Sequence, residues 1–308
     1  MIKHIYQTEP ERPATASPLA LPGVNAQNGD RIVSINGIAV NTIADVTQAL
    51  RNQVGQQVLL SLKRGKQSIE TVVKPVDRWA EYNLRYADWT QTNLEKVATS
   101  APSVGYFHLA AMGSNDIENF AREFYANIDK KGLIIDVRNN RGGNIDSWLI
   151  EKLLRRTWAF WDGKNFSPFT NMQQTFRGHI VVLINQSTYS DGETFSAAVK
   201  ALDIAPLIGK RTAGAGVWLS DVSRQSDNGM ARVAQFAQYA INGDWILEGH
   251  GVSPDIEVHN LPYASFKGED AQLEYAIKYL NEKIKSEPIP ELKAKAFTPY
   301  GEPAKDIE

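Results

Sequence analysis

The sequence contains no cysteine. That excludes disulfides, thiol nucleophiles, iron–sulfur clusters and cysteine-ligated zinc, and it leaves the compartment open. The five histidines, His4, His108, His179, His250 and His259, lack the paired spacing of a metal site such as HxxxH. No apolar run approaches the roughly 18 residues required to cross a bilayer, so membrane insertion is not expected. An excess of charge of one sign is also missing. The formal net charge is −2, which removes the electrostatic footprint of a nucleic-acid binder. The amino terminus has no charged segment followed by an apolar one, so no signal peptide is visible. Instead Met1-Ile2-Lys3-His4-Ile5-Tyr6 runs straight into strand-like sequence. So abrupt an opening leads to the expectation that the chain is a piece of a longer one.

What is present is ordinary globular composition, 43% hydrophobic and 22% charged over 308 residues, a length that favours about two domains at roughly 150 residues each. Residues 1–77 read as a small β-rich domain. Gly29-Asp30 opens a strand at 31–35 that closes on the Asn36-Gly37 hairpin signal. Thr42 can cap a short helix carrying Val46, Ala49 and Leu50 on one face. Alternating stretches, Val58-Leu60-Leu62 and Ile69-Thr71-Val73, follow as paired strands. Residues 78–100 read as a connecting helix, with Trp79, Tyr82, Tyr86 and Trp89 at helical spacing as a packing face that docks the small domain on the large one.

From 101 to 286 apolar strands alternate with amphipathic helices. Strands are expected at 104–109, 133–137 and 180–184. The intervening helices carry Ile117, Phe120, Phe124 and Ile128; Ile145, Leu149 and Leu153; Phe195, Val199 and Leu202; and, after them, Leu273, Ile277 and Leu280. This predicts an α/β core with a parallel or mixed sheet and flanking helices. Residues 287–308 are rich in Pro and Lys without periodicity and are expected to form an extended or disordered arm.

Three segments can carry chemistry. Ser190-Asp191-Gly192-Glu193 lies between a strand and a helix. It reads as a capping box, or equally as a serine exposed at a strand-to-helix turn whose neighbouring N–H groups favour developing negative charge. The G-x-S-x-G elbow is only half present, because Thr188 occupies the first glycine position. Asp136–Gly143 ends a strand in Gly142-Gly143, which is either a plain turn or a backbone donor able to approach a reacting carbonyl. In 244–255, Glu248 and His250 form an acid–base pair or an ordinary turn. His108, inside an apolar strand, reads as a hydrogen-bonded core residue.

These segments, in order with Gly105-Tyr106-Phe107-His108-Leu109 and Leu207-Ile208-Gly209-Lys210-Arg211-Thr212, resemble the C-terminal half of the tricorn proteases, within the tail-specific (C-terminal processing) serine peptidase group. The opening domain, through Ser17-Pro18-Leu19, Pro22-Gly23-Val24 and Gly29-Asp30, resembles that family's PDZ module. The resemblance implies Ser190 as nucleophile and the N–H groups of Asp191 and Gly142 as the oxyanion hole. Glu248 would then support a catalytic histidine through a second serine. In the family that histidine and serine lie in a domain preceding the PDZ module, and nothing before Ile5 supplies them, so this piece alone is expected to be inactive. Arg141 departs from the family, where glycine or proline stands. The resemblance further implies an acyl-enzyme mechanism without metal or organic cofactor, short peptides or unfolded polypeptides as substrates, and a homo-oligomer. The PDZ module would either take peptide termini by strand addition or simply hold the core's neighbours in place. The compartment expected is the cytoplasm, or the periplasm if an upstream part carries an export signal. The competing reading is a non-catalytic PDZ-containing peptide-binding or scaffold protein with a degenerate core.

Overall fold

The computed structural model describes residues 1–8 and 15–295, which fall into two compact units divided between Lys96 and Val97. In the first, β1 (Arg31–Ile35) turns through Asn36 and Gly37, both at positive φ, into β2 (Ile38–Ala39). Helix α1 (Ile43–Ala49) starts at Thr42, whose Oγ1 accepts from the Asp45 N–H while the Asp45 carboxylate accepts from the Thr42 N–H. β3 (Val58–Arg64) and β4 (Gln67–Val73) complete an antiparallel sheet ordered β2-β1-β3-β4. Alternation decides which face is buried. Val58, Leu60 and Leu62 of β3 join Ile69 and Val73 of β4 in one core with Ile35 and Val40, while Leu59 and Val72 point to solvent. The buried Asp30 carboxylate accepts from both Nε and Nη2 of Arg64 at 2.8 Å.

Helix α2 spans Arg78–Ser100. Its aromatic stripe is not the packing face that spacing predicts. Trp79 and Tyr82 are exposed, and only Tyr86 and Trp89 are half-buried. The buried apolar positions of the helix are Leu84 and Val97. Helical spacing groups residues on a face without saying which face is covered.

In the second unit β5 (Val104–His108), α3 (Asp116–Ala126), β6 (Gly132–Asp136) and α4 (Asp146–Leu154) follow in turn. A hairpin of β7 (Ala159–Gly163) and β8 (Phe166–Asn171) comes next, then β9 (His179–Ile184), α5 (Asp191–Ala201) and β10 (Leu207–Gly209). Short strands β11 (Trp218–Leu219) and β12 (Ala234–Phe236) pair with each other. β13 (Ile256–Glu257), α6 (Pro262–Phe266) and α7 (Ala271–Ser286) end the described elements. Part of the arm expected at 287–308, from 296 on, lies outside the described residues. Its first residues are tethered: the carbonyls of Glu287 and Pro290 accept from His179 and Arg177.

The main sheet, ordered β13-β10-β9-β6-β5, is parallel throughout. Successive strands from β5 to β10 are added in one direction, so right-handed crossovers place α3, α4 and α5 on the same face. The two-residue strand period sorts the apolar runs accordingly. Leu133, Ile135, Val182 and Ile184 pack with Phe120, Phe124, Leu149, Phe195 and Val199. Ile134, Val181 and Leu183 pack on the other face with Leu273, Ala276, Ile277 and Leu280 of α7. One expected core position falls elsewhere: Leu202, as the C-terminal cap of α5, is exposed. Ile128 lies past the end of α3 but still packs against this core.

A network of charged groups is buried within this unit. Arg138 donates through Nε and Nη2 to Asp136, at 2.7 Å for the closest pair, and through Nη1 to Asp270 at 2.8 Å and Gln272 at 3.1 Å. Tyr106 adds its hydroxyl to Asp136. Replacing Arg138 with Ala would leave two carboxylates without their cation, a loss of about 3–5 kcal/mol for a buried pair. Chemical denaturation of Arg138→Ala is expected to show a loss of that size, whereas an exposed arginine such as Arg31 should change stability by less than about 0.5 kcal/mol.

Candidate active site

Parallel sheets present their loops for chemistry at the carboxyl ends of the strands. Three loops meet there: 109–115 after β5, 137–145 after β6 and 185–190 after β9. Asn140, fully buried, ties them together. Its Nδ2 donates to the Leu109 carbonyl at 2.7 Å, its own carbonyl accepts from the Tyr189 N–H at 3.0 Å, and its Oδ1 accepts from the Gly142 N–H at 2.8 Å. Thr188, also buried, adds a hydroxyl bond to the Val137 carbonyl at 2.9 Å.

Ser190 stands at the turn from β9 into α5 with φ 54° and ψ −119°. A non-glycine residue there costs on the order of 1–3 kcal/mol, and such a turn lifts the side chain away from both flanking elements. Glu193 holds it. This fully buried carboxylate accepts from the Ser190 N–H at 3.1 Å, the Ala215 N–H at 2.9 Å, and the Gly214 N–H and Thr212 hydroxyl at 2.6 Å each. The carboxylate side of a capping box is therefore present, and the same carboxylate also anchors the 212–215 loop. The Glu193 N–H goes to the Ser190 carbonyl at 2.8 Å.

Gly142 lies directly against this serine. A Cβ on Gly142 would come within 2.5 Å of Ser190 Cβ and 3.0 Å of its Oγ, and Gly142 itself sits at φ 81°. The two backbone donors that the sequence singles out are in different states. Among the described residues the Asp191 N–H enters no hydrogen bond, while the Gly142 N–H is committed to Asn140. The Asp191 side chain acts elsewhere. Its Oδ2 accepts from Ile145 N at 2.8 Å and Asp146 N at 3.1 Å, capping α4. Burial, then the neighbouring Asp146 carboxylate, pushes the Asp191 carboxyl up to about 7.

Glu248 is exposed, and its Oε2 accepts from the N–H groups of Gly216 at 3.1 Å and Val217 at 2.9 Å. No hydrogen bond joins it to Ser190 among the described residues. The histidines have partners elsewhere. His4 pairs with Asp88 and His259 with Glu257. His250 is exposed and bonds the Glu248 carbonyl, as a turn residue would. His108 donates from Nε2 to the Arg138 carbonyl at 2.6 Å, and burial lowers its pKa. Among the described residues no cluster of three or more His, Asp or Glu is arranged to hold a metal, and no helix is long and apolar enough to cross a membrane. Sequence reasoning missed the wider reach of Glu193 and the part played by Asn140. An asparagine two residues before a glycine turn is a local signal for Asn140. Three of the four partners of Glu193, by contrast, come from a loop 19 to 22 residues away and leave no local trace.

The model of Peptidase family S41 matches residues 103–258, and that of the Tricorn protease PDZ domain matches residues 1–78. Tricorn protease homolog 1 of Streptomyces coelicolor is 33% identical over 280 residues, 90% of this chain and 26% of that protein. The Tricorn protease of Thermoplasma acidophilum is 30% identical over 287 residues, 91% of this chain and 26% of the relative. A crystal structure of the tricorn protease superposes with a TM-score of 0.84 at 27% identity, covering 92% of this chain and 28% of that one. The chain thus spans about a quarter of the length of these relatives.

Two outcomes follow from the geometry. Because the folded state raises the Asp191 carboxyl from 3.8 to about 7, the native state binds the proton more tightly than the unfolded one. The stability this group confers is full below 3.8 and declines as pH rises through the window up to about 7. Asp191→Asn, which cannot ionise, should therefore gain on the parent in denaturation midpoint across that window and run parallel to it above. Second, Gly142→Ala drives a methyl into Ser190 from a left-handed backbone. It should fold with a loss of about 1–3 kcal/mol and, in a longer protein whose Ser190 is labelled by a fluorophosphonate, it should block that labelling, read by mass spectrometry.

Proposed function

The chain belongs to peptidase family S41, and on that premise we propose that it is the part of a serine peptidase that carries the nucleophile, Ser190, without the general base. The observation that carries this reading is the strained Ser190 backbone at the β9–α5 turn, held by Glu193, with the unbonded Asp191 N–H beside it. A degenerate scaffold core would have no reason to maintain a conformation that costs energy.

In this mechanism Ser190 Oγ attacks a peptide carbonyl, an acyl-enzyme forms with departure of the amine, and water releases the acid. The Asp191 N–H is the donor that stands ready for the oxyanion. Gly142 supplies the second donor once its N–H leaves Asn140 Oδ1, a bond it makes at 2.8 Å in the resting arrangement. The base is a histidine upstream of the residues in hand, supported through a second serine by Glu248. Glu248 suits that role because it is exposed and its carboxylate is already held in place by two amides. Short peptides or unfolded polypeptides are the substrates, the complete protein is a homo-oligomer, and the cytoplasm is its compartment.

A serine without a base is a weak nucleophile at neutral pH. Removing a triad member leaves at most roughly 1,000- to 10,000-fold acceleration over water. A peptide-library assay should therefore find turnover in a longer protein that includes the upstream domain, abolished by Ser190→Ala, and none from the 308 residues alone. Ordinary turnover by the short chain, lost in Ser190→Ala, would put the base inside it and overturn the upstream assignment. Turnover by the longer protein that survives Ser190→Ala would remove Ser190 as nucleophile.

A further inference from the structure

The opposite edge of the parallel sheet carries a cleft of about 770 Å³. It is bounded by the start of β9, at His179 and Ile180, and by Ile204–Pro206 just before β10. Ser190 follows the other end of β9. With roughly 3.3 Å of rise per residue, the two edges are on the order of 15 Å apart, so the cleft is no part of the site described above. Its volume falls within the range of about 300–1,000 Å³ common for small-molecule sites.

The lining is cationic in a specific way. Lys200 is paired with Asp255 at 2.7 Å, and Lys283 with Glu287 at 2.5 Å. Arg155, Arg156 and Arg177 have no such carboxylate. Among the described residues their guanidinium groups donate only to neutral carbonyls: Arg155 to Gln173 at 3.2 Å, Arg156 to Leu153 at 3.1 Å and Arg155 at 3.4 Å, and Arg177 to Pro290 at 2.7 Å. The Arg177 guanidinium also lies over the Phe160 ring at 5.1 Å. Asp203 is the lining carboxylate that remains outside the ion pairs. The Thr157 hydroxyl, buried and without a partner among the described residues, also belongs to a residue of this lining.

We propose that this cleft binds a small ligand carrying two or more oxyanion groups, phosphate or carboxylate. Guanidinium groups are planar, always charged and matched to both groups by paired N–H donors. Three of them gathered in one concavity, bonded only to carbonyls, leave N–H donors and positive charge unanswered, and a multivalent anion supplies both. A single surface anion would not need a cleft of this volume, and a nucleic-acid strand would need a basic track that a chain of net charge −2 does not otherwise provide.

The test is isothermal titration of inorganic tripolyphosphate, and separately of citrate, into the 308-residue chain at low and at physiological ionic strength (about 0.15 M). Saturable binding of one equivalent is expected for at least one of them, weakened about tenfold or more by Arg156→Gln and by Arg177→Gln. Lys66→Gln, an equal charge change at the exposed β3–β4 turn, should leave it unchanged. Tighter binding of tripolyphosphate assigns a phosphate ligand, and tighter binding of citrate a carboxylate one. If Arg177→Gln loses its cooperative melt, Arg156→Gln alone decides, since its guanidinium holds only carbonyls of its own turn. Absence of saturable binding by either anion, or equal weakening by Lys66→Gln, overturns the proposal.

Discussion

The loop edge that carries Ser190 depends on a single strained residue. Ser190 occupies a backbone region that a side-chain-bearing residue enters only at a cost, and that cost must be met by neighbours that cannot move. Glu193 is the chief of these. A fully buried carboxylate is tolerable only when its lone pairs are filled, and the four donors it collects come from Ser190 itself and from Thr212, Gly214 and Ala215. One side chain thus fixes the serine turn and the 212–215 loop in the same act. Disturbing either leaves a buried charge short of partners, so the two are coupled by the need to satisfy that charge.

The sheet explains why the loops meet where they do. A parallel arrangement buried on both faces forces alternate residues of each strand into two separate cores, and the register from β5 to β10 leaves the three loops side by side at one edge. The helices then take their orientation from the loops. α5 begins at Asp191 and α4 at Asp146, and the Asp191 carboxyl caps the second from the first. Two helix starts converge on one spot, so backbone N–H groups and their partial positive charge collect beside Ser190. The opposite edge, where strands begin, receives the other ends of these helices and gathers the cationic side chains of the cleft.

Much of this is legible from residue order alone. The strand at 180–184, the helix carrying Phe195 and Val199, and the serine between them follow from apolar runs and a polar break. The capping signals at Thr42 and Ser190 are local, and local signals survive without tertiary information. What was not legible depended on distance. The aromatic stripe of α2 has the spacing of a face, yet Trp79 and Tyr82 are exposed, because spacing cannot say whether anything lies opposite. The β7–β8 and β11–β12 pairs are not legible because their strands are largely exposed, and those of the second pair are also only two and three residues long, so they lack the apolar alternation that marks a buried strand. Glu193 was visible only as a capping residue, since three of its four partners lie beyond the helix it starts. The Arg138 network escaped for the same reason: Asp136 is two residues away, but Asp270 is 132.

Two groups credited with chemistry are satisfied internally at rest. The Gly142 N–H is taken by Asn140, and the Glu248 carboxylate by the amides of Gly216 and Val217. For the Gly142 donor this is what burial demands, since a donor facing an apolar environment without an acceptor costs about 1–3 kcal/mol. The consequence bears on how such a site is completed. Bringing the Gly142 N–H to an oxyanion exchanges one hydrogen bond for another and gains only their difference, whereas the Asp191 N–H gains a bond it lacks. The two donors are therefore unequal in the resting state. Freeing the Gly142 N–H means drawing Asn140 Oδ1 away from it, and Asn140 also holds the Tyr189–Ser190 turn and the β5 loop through its carbonyl and carboxamide, so the Gly142 donor is tied to the positions of both loops.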